Sequence, residues 1–421
     1  MMMPINVLSL FDGMSCGQQA LERAGIPVAN YYASEIDKYA IKVTMANYPN
    51  TIQLGSVVNV DGYKLPKIDL LIGGSPCQSF SFAGKRKGMS TKDEQEILTL
   101  EHYLQLKDEG YEFEGQSYLF WEYMRLLNEC KPTYFLLENV EMGEKWEKVL
   151  SKAIGVNGIH INSALVSAQN RKRIYWTNIG MKPAGLFGDL ESIIEQPKDK
   201  GILLKDILES DVDEKYFLSE KMIDGFLAHN KRHIEEKNQT GFNWKPTIGN
   251  KKGNTLRANA ALCATDNSVI VHNTQRRDPN RPSIQKNKNA GGSGHLSRSD
   301  GKTDCLDVGN SNAVEIILTS KDKRLQQTID TNNIEFGEIK ALDTYNQSIH
   351  DRYPTLKDPK HNDRALFDGS RIRRLTPIEC ERLQTVADNY TNYVSDSQRY
   401  KMLGNGWTID VITHIFNYLE L

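Results

Sequence analysis

From Asn6 to about Ile179, short apolar runs alternate with helical patterns, and this alternation restricts the fold more tightly than anything else in the chain. Val7-Leu8-Ser9-Leu10-Phe11 reads as a strand, and Gly17 to Ala24 follows with Ala20, Leu21 and Ala24 on one helical face. Tyr31-Tyr32-Ala33-Ser34-Glu35 is the next strand, and Lys38 to Tyr48 is a helix stopped at Pro49. Ile68-Asp69-Leu70-Leu71-Ile72, a helix from Tyr118 to Glu129 and Tyr134-Phe135-Leu136-Leu137-Glu138 continue the series. Strands separated by whole helices join as parallel neighbours, with helices on both faces. The expectation is an α/β fold on a doubly wound, mostly parallel sheet.

Between about Gly180 and Gly369 the pattern changes. Asn, Gly, Lys and Thr dominate, and turn signals recur at Gly249-Asn250, Lys252-Gly253-Asn254, Gly291-Gly292-Ser293-Gly294 and Gly309-Asn310. Thr255–Asn259 and Ile329–Asn332 read as short strands in similar strand–turn settings. Regular structure resumes at Arg371, Pro377 suits the first turn of a helix, and a last helix after Gly406 carries Ile409, Val411, Ile412, Ile415 and Phe416. The C-terminal helices are therefore expected to pack back on the first domain. Residues 1–189 plus 367–421 form that domain in this reading, and residues 190–366 form an inserted, small, loop-rich β domain. Charge follows the same division. The net charge is −2, yet Lys221 to Asp300 holds 14 Lys and Arg against 6 Asp and Glu, leaving −10 for the remainder. A basic segment on an acidic body suits a nucleic-acid contact, or simply a solvated surface.

Composition excludes several classes. With 39% hydrophobic and 25% charged residues the chain is globular rather than disordered. No stretch approaches the ~20 apolar residues of a spanning helix, and no signal peptide is evident, so a cytoplasmic location without membrane contact is expected. Six cysteines with no C-x-x-C pair argue against a zinc site and a disulfide framework.

The chemistry-bearing residues fall where strands end, which is where ligands gather in such sheets. Gly73-Gly74-Ser75-Pro76-Cys77-Gln78 puts a thiol at a sharp turn. A lone cysteine is more often a small buried hydrophobe than a nucleophile. Phe11-Asp12-Gly13-Met14-Ser15-Cys16-Gly17 opens a helix with small residues that admit a ligand to the backbone, without a G-x-G-x-x-G. Glu35, at the end of the second strand, is placed to accept both hydroxyls of a ribose. These two features point to an adenosine-bearing cofactor without a pyrophosphate clamp. Glu138, at another strand end, suits a hydrogen bond to a heterocycle nitrogen. Arg171 and Arg173 in Gln169-Asn170-Arg171-Lys172-Arg173 share one face of the strand that follows, where guanidinium groups would lower the pKa of a nearby thiol. Each of these taken singly also fits an ordinary surface ion pair.

Taken in order, these elements resemble the cytosine-5 DNA methyltransferases. The resemblance covers about Asn6 to Ile179 and about Gly369 to the end, and includes Arg374-Leu375-Thr376-Pro377-Ile378-Glu379-Cys380 and Leu403-Gly404-Asn405-Gly406. It implies a Rossmann-like fold with an inserted target-recognition domain, and methyl transfer from S-adenosylmethionine to carbon 5 of a flipped cytosine in double-stranded DNA. By this resemblance Cys77 adds to carbon 6, Glu138 binds N3 and the exocyclic amine, Arg173 meets the base O2, and Arg171 lies near the thiolate. The cofactor residues carry over as Phe11 on adenine, Gly13 in the loop, Glu35 on ribose with Ile36 beside it, then Ser56, Val57, Pro76, Leu119, Asn405 and Trp407. No metal is implied. Ser81, Lys85, Arg86, Lys87, Thr255 and Arg257 are the implied DNA contacts, with Lys251, Lys252, Arg276, Arg277 and Arg281 as further cations for phosphate or guanine.

The chain departs from the family pattern in places. Ser9 replaces an Asp, Ser15-Cys16-Gly17 displaces a glycine, Ser56, with Val57 next to it, replaces an acidic residue that in the family often reads the adenine amine, and Gly406-Trp407 replaces a Ser/Ala-Val step. The connection after Gln78 is also long. Around Asp93 to Asp108 it reads as helical, with Ile97, Leu100 and Leu104 as an apolar stripe, and is expected to extend a mobile catalytic loop; docking onto the body is the alternative. A tRNA cytosine enzyme of the same family, or a DNA-binding protein without catalysis, are the competing functions; the large basic insertion and the intact Cys77, Glu138, Arg171 and Arg173 argue against them. A monomer with a cognate restriction endonuclease as its genetic partner, nucleoid-associated or phage-encoded, completes the expectation.

Overall fold

A computed structural model describes residues 3–76, 89–93, 95–113, 115–184, 189–219, 221–223, 225, 228, 247–248, 251–256, 268–272, 341–343, 348–350, 364–366 and 370–421. These fall into two compact units. The first comprises Met1–Ile207, Lys251–Cys263 and Pro377–Leu421, and the second Leu208–Asn250 and Ala264–Thr376.

The first unit is built on a seven-stranded sheet of β1 (Ile5–Leu10), β2 (Val28–Ser34), β3 (Ile52–Gln53), β4 (Leu70–Gly74), β5 (Tyr134–Val140), β6 (Ile159–Asn162) and β7 (Lys172–Thr177). Its order is β3-β2-β1-β4-β5-β7-β6. The first five strands of that order are parallel, while β7 runs antiparallel to both β5 and β6. The alternating sequence pattern is thus realised as a Rossmann-like, mostly parallel sheet. Chain direction from β1 goes one way to β2 and the other way to β4, so the topological switch lies between β1 and β4. The central strands β1, β4 and β5 are buried along most of their length, as in a sheet covered on both faces.

Between the strands lie α1 (Cys16–Arg23), α2 (Lys38–Asn47), α3 (Leu100–Asp108), α4 (Phe120–Cys130) and α5 (Glu144–Ile154). After the insertion come α6 (Pro377–Leu383), α7 (Asp396–Asn405) and α8 (Ile409–Phe416). Helix α6 begins at Pro377, where the missing N–H costs nothing. Helix α8 is buried through Ile409, Val411, Ile412, Ile415 and Phe416 and packs on α1, where Arg23 pairs with Asp410 at 2.6 Å. No helix among the described residues is long and apolar enough to cross a membrane.

In the second unit two three-stranded sheets are described. One joins β10 (Thr247–Ile248), β11 (Ser268–His272) and β15 (Ser370–Arg374); the other joins β12 (Ala341–Asp343), β13 (Ser348–His350) and β14 (Arg364–Leu366). A ribbon of β8 (Met181–Ala184) and β9 (Asp189–Ser192) belongs to the first unit.

One expectation is corrected. The segment from Met89 to Leu119 docks on the body instead of extending a free loop. Met89, Ile97, Tyr103 and Leu106 are buried in the core cluster that contains Phe120, Trp121 and Tyr123. The helix is also shorter than the apolar stripe implied. It starts at Leu100, because Thr99 caps it by accepting from the His102 N–H. Tyr103, not counted in the stripe, is what the helix buries most completely, together with Leu106.

Candidate active site

The two sides of the switch present different chemistry at one sheet edge. Beyond β1 the chain turns through Phe11, Gly13 and Ser15, all at positive φ (57°, 60° and 61°). Left-handed backbone at a non-glycine residue is strained, and strain of this kind persists where the surroundings over-determine it. A Cβ added at Gly13 would meet nothing within 4 Å, so the loop borders open space there. The loop is held from behind. Tyr31 donates to Asp12 Oδ1 at 2.8 Å, and Tyr390 donates to the Met14 carbonyl at 2.7 Å. Gly17 is obligatory in this arrangement, since a Cβ would lie 2.6 Å from the Tyr31 hydroxyl and 2.3 Å from Ile72. Gly406 is equally confined, 2.8 Å from Met14 and 3.3 Å from the Cys16 sulfur by the same construction.

Glu35 immediately follows β2 and is fixed by three backbone donors. Its Oε2 accepts from Gly13 N–H at 2.8 Å, and its Oε1 accepts from Ile36 at 2.7 Å and Asp37 at 2.8 Å. Ile36 beside it is 71% exposed, an unusual position for a large apolar side chain. Ser56 and Val57 follow β3, Leu119 immediately precedes α4 and is half-buried, and Asn405 ends α7 exposed. The donor set fits an adenosine: an oriented carboxylate for a ribose, exposed or half-buried apolar groups (Ile36, Phe11) for a base, and an open glycine between them.

The other side is built on β4, β5 and β7. Gly74 pairs with Glu138, and Val140 pairs with Arg173. Because β7 runs antiparallel, its first residues lie beside the last residues of β5, and this is what brings Arg173 to the strand-end edge. Arg173 Nε lies 2.9 Å from Glu138 Oε1, with both side chains largely buried. The indole of Trp407 donates to Glu138 Oε2 at 3.1 Å. Gly74 leaves room for this pair, as a Cβ there would stand 2.8 Å from the Trp407 indole nitrogen and 3.1 Å from Glu138 Oε2. Asn139, on the opposite strand face, donates to Ser75 Oγ at 3.0 Å and to the Ser75 carbonyl at 3.3 Å. It thereby fixes the turn that leads through Pro76 toward Cys77. A cavity of about 340 Å³ adjoins this edge, lined by Val140, Glu141, Asn162, Asn170, Lys172, Arg173 and Thr255.

The structure brings Glu138, Arg173 and Trp407 together, and groups Gly13 and Ile36 on Glu35, with Phe11 just beyond β1 and Pro76 just beyond β4. Cys77, Ser81, Lys85, Arg86, Lys87, Arg257, Arg276, Arg277 and Arg281 lie outside the described residues. Two cations are held by backbone carbonyls, and for Lys252 this differs from the expected phosphate or guanine contact. The Arg171 guanidinium is buried and donates to the carbonyls of Leu256 at 3.1 Å, Gly404 at 3.2 Å and Gly406 at 2.9 Å, so it ties three segments together. Lys252 donates to the carbonyls of Ala164 at 2.7 Å, Ser167 at 3.0 Å and Ile202 at 2.5 Å, which commits its ammonium inside the protein and not to a phosphate. Gln169 was quoted only as part of a motif. Its side chain accepts from Leu256 N–H at 3.0 Å and donates to Leu383 at 3.2 Å, anchoring Thr255-Leu256. Nothing local in the sequence announces Trp407 as the partner of Glu138, since 269 positions separate them.

Two described thiols, Cys16 beside the loop after β1 and Cys130 at the end of α4, are chemically quiet. Burial pushes the Cys16 thiol up to about 12, and burial pushes Cys130 up to about 11. Thiolate is the nucleophilic form, so neither serves as one near neutral pH. Among the described residues no group of three or more His, Cys, Asp or Glu side chains is gathered as a metal would require.

Comparison with known proteins decides the family. The sequence model described as C-5 cytosine-specific DNA methylase matches residues 5–420. The chain belongs to that family. As a member it is a DNA cytosine-5 methyltransferase. It is 28% identical to the orphan methyltransferase M.SPRI of Bacillus phage SPR, over 99% of this chain and 97% of that protein. It is 30% identical to the type II methyltransferase M1.ScrFI of Lactococcus lactis subsp. cremoris over 60% of each chain. Among solved structures, the Entamoeba histolytica methyltransferase EhMeth superposes with a TM-score of 0.54 at 14% identity, covering 99% of this chain and 98% of that one, which speaks to fold.

Proposed function

We propose that this methyltransferase acts on a cytosine flipped out of a specific duplex DNA sequence, through a covalent bond between Cys77 Sγ and carbon 6 of the base, with S-adenosylmethionine as methyl donor. The observation that carries this reading is the Glu138 carboxylate, fixed by Arg173 and Trp407 on the strand next to the one that leads into Cys77. Carbon 5 of cytosine is a poor nucleophile. Addition of the Cys77 thiolate to carbon 6 places the electron pair of the 5,6 double bond on the ring, and Glu138 favours this by hydrogen bonding at N3 and the exocyclic amine. Arg173 then serves twice, holding Glu138 and reaching toward the base O2. S-adenosylmethionine supplies the electrophilic methyl group. After transfer carbon 5 gives up its proton to a general base, and the Cys77 Sγ–carbon 6 bond breaks as the double bond returns. The base must first leave the stack, at a cost of a few kcal/mol, because the thiol cannot reach it in the duplex.

Phe11, Gly13, Glu35, Ile36, Ser56, Val57, Pro76 and Leu119 are assigned to the cofactor, with Glu35 accepting from the ribose. Trp407 is assigned first to positioning Glu138. The inserted part, residues 190–366, is assigned to target recognition, with Thr255 and Arg257 facing DNA together with Ser81, Lys85, Arg86 and Lys87. Lys172, exposed at the mouth of the cavity, joins them as a phosphate contact.

Bisulfite sequencing of a plasmid from cells expressing the chain reads activity and target together. Cys77→Ser is expected to abolish methylation while DNA binding persists, and 5-fluorocytosine in the correct site is expected to trap an adduct on Cys77. Methylation by Cys77→Ser, or turnover without an adduct, overturns the covalent route.

A further inference from the structure

Met89–Leu119 lies between the Cys77 loop and α4, yet its buried polar contacts run through α4 to the turn after β3. Glu122 on α4 is fully buried. Its Oε1 accepts from the Tyr103 hydroxyl and from Lys107 Nζ, both at 2.5 Å and both on α3. Its Oε2 accepts from Arg125 Nε at 2.8 Å. Burial alone would raise this carboxyl, but Lys107, Tyr103 and Arg125 outweigh it and hold it below its ordinary value, so it stays charged. Arg125 divides the rest of its guanidinium. Nη1 meets Glu129 at 2.8 and 2.9 Å, and Nη2 donates to the Val57 carbonyl at 3.1 Å. Glu129 in turn accepts from Gly62 N–H at 2.8 Å. The 3-10 turns Val57–Asn59 and Gly62–Lys64 are therefore both held to α4 by one chain of charged groups that begins on α3.

A guanidinium is planar, with its donors in a rigid fork. Rotation that loosens Arg125 from Glu122 displaces Nη2 from Val57 as well. The apolar contacts run the same way, since Val57 and Val60 share a core cluster with Met89, Ile97, Tyr103 and Leu106.

We propose that Met89–Leu119 is a positioning brace for the adenine side of the cofactor site, in which Tyr103 and Lys107 orient Glu122, Glu122 orients Arg125, and Arg125 sets the Ser56–Val57 turn. The proposal rests on the reading of Ser56 and Val57 as cofactor residues. It gives the insertion after the Cys77 loop a role in cofactor affinity instead of DNA contact, and it makes Tyr103, Lys107, Glu122 and Arg125 positioning residues for cofactor binding.

The test uses the full chain and measures S-adenosylhomocysteine affinity by calorimetry, duplex DNA affinity, kcat at saturating cofactor, and Tm. Tyr103→Phe removes one oxygen, and Lys107→Met removes a half-exposed charge; neither opens a cavity. Each is expected to weaken cofactor binding by about 3- to 10-fold, with DNA affinity and saturated kcat within about twofold, because only a hydrogen bond to a charged group is lost. Lys107→Arg is expected to restore the parent affinity. A lower Tm with cofactor affinity unchanged makes the segment a stabilising element only and overturns the brace. A change confined to DNA affinity or kcat overturns it too. Val57→Arg separates this from the underlying reading: if it leaves cofactor affinity intact, Val57 is not at the cofactor and both fail. If it weakens binding while Tyr103→Phe does not, only the brace fails.

Discussion

Two halves of one sheet edge solve the problem of presenting ligand-binding groups in opposite ways. At β1 and β2 the backbone does the binding work. Three positive-φ residues in five positions open space, and the carboxylate of Glu35 is oriented entirely by main-chain N–H groups. At β4, β5 and β7 the backbone is regular strand, and side chains do the work, with Glu138 held by an arginine and an indole. The first half can receive a large, partly apolar ligand against the main chain. The second fixes a charge at one point, which is what polarising a planar heterocycle needs. Strain and side-chain charge are thus separated across the switch between β1 and β4. The separation implies that substitutions on one half change kcat and those on the other change cofactor affinity.

The largest effect is expected at Glu138. Glu138→Gln keeps shape but removes the negative charge and the ion pair with Arg173. The saturated rate of methylation is expected to fall by about 10³-fold or more, the range for losing a positioned acid–base and electrostatic group. S-adenosylhomocysteine affinity is expected to stay within about threefold. A rate loss under tenfold, or a matching loss of cofactor affinity, would show that the halves are not separable.

The halves also differ in how far the sequence exposes them. Glu35 and the Phe11–Gly17 loop are legible because a strand, a turn and a helix follow one another locally, and each residue's place depends on its neighbours in the chain. Glu138 is legible for the same reason. Its partners are not. Arg173 reaches the edge only because β7 reverses direction, a property of pairing that periodicity does not carry. Lys252 reads as a phosphate or guanine contact, yet its charge is consumed by carbonyls brought from distant segments, and Arg171 is likewise bound to three carbonyls that its motif does not announce. The stripe Ile97, Leu100 and Leu104 does not by itself tell a docked Met89–Leu119 segment from an extended loop. The residue that anchors it, Tyr103, carries a hydroxyl whose acceptor sits on another helix. Local order was readable, and long-range satisfaction of buried polar groups was not.

Glu35→Gln probes the backbone half. In the proposed site a ribose would then meet a neutral acceptor in place of a charged one, and at least one of the three N–H groups faces an amide N–H₂. Cofactor affinity is expected to fall by about 10- to 100-fold, as for a hydrogen bond to a charged group. Saturated kcat is expected to hold within about threefold; an equal fall in kcat would join the two halves. Trp407→Phe makes a smaller change on the side-chain half, removing one donor from Glu138 while keeping an aromatic ring. A loss of about tenfold in kcat with unchanged cofactor affinity is expected. The reverse pattern would return Trp407 to the cofactor residues and leave Arg173 as the positioning group for Glu138.

Asp12 tests whether the strained loop stores its cost in a buried charge. Its Oδ2 is buried with no hydrogen-bond partner, while Oδ1 accepts from Tyr31. Burial pushes its carboxyl up to about 6 from an ordinary 3.8; the hydroxyls of Ser9, Tyr31 and Ser15 pull it down, and the charge of Glu35 adds to the rise. The folded state thus prefers Asp12 protonated more than the unfolded state does. Its contribution to stability is full below about pH 4 and is lost as pH rises through 6, for a cost of about 3 kcal/mol above that pH. About 1.4 kcal/mol of that loss falls between pH 5 and pH 8. Asp12→Asn cannot ionise, and Glu35, Tyr31 and Cys16 around it are common to both proteins. The stability of the Asn variant relative to the parent is therefore expected to rise from pH 5 to pH 8 by about 1.4 kcal/mol, or roughly 2 °C in Tm. A difference that stays flat or falls across this range would mean that Asp12 is solvated or paired in the folded protein. The strain of the loop would then be held by its backbone contacts alone, Tyr390 on Met14 and Glu35 on Gly13.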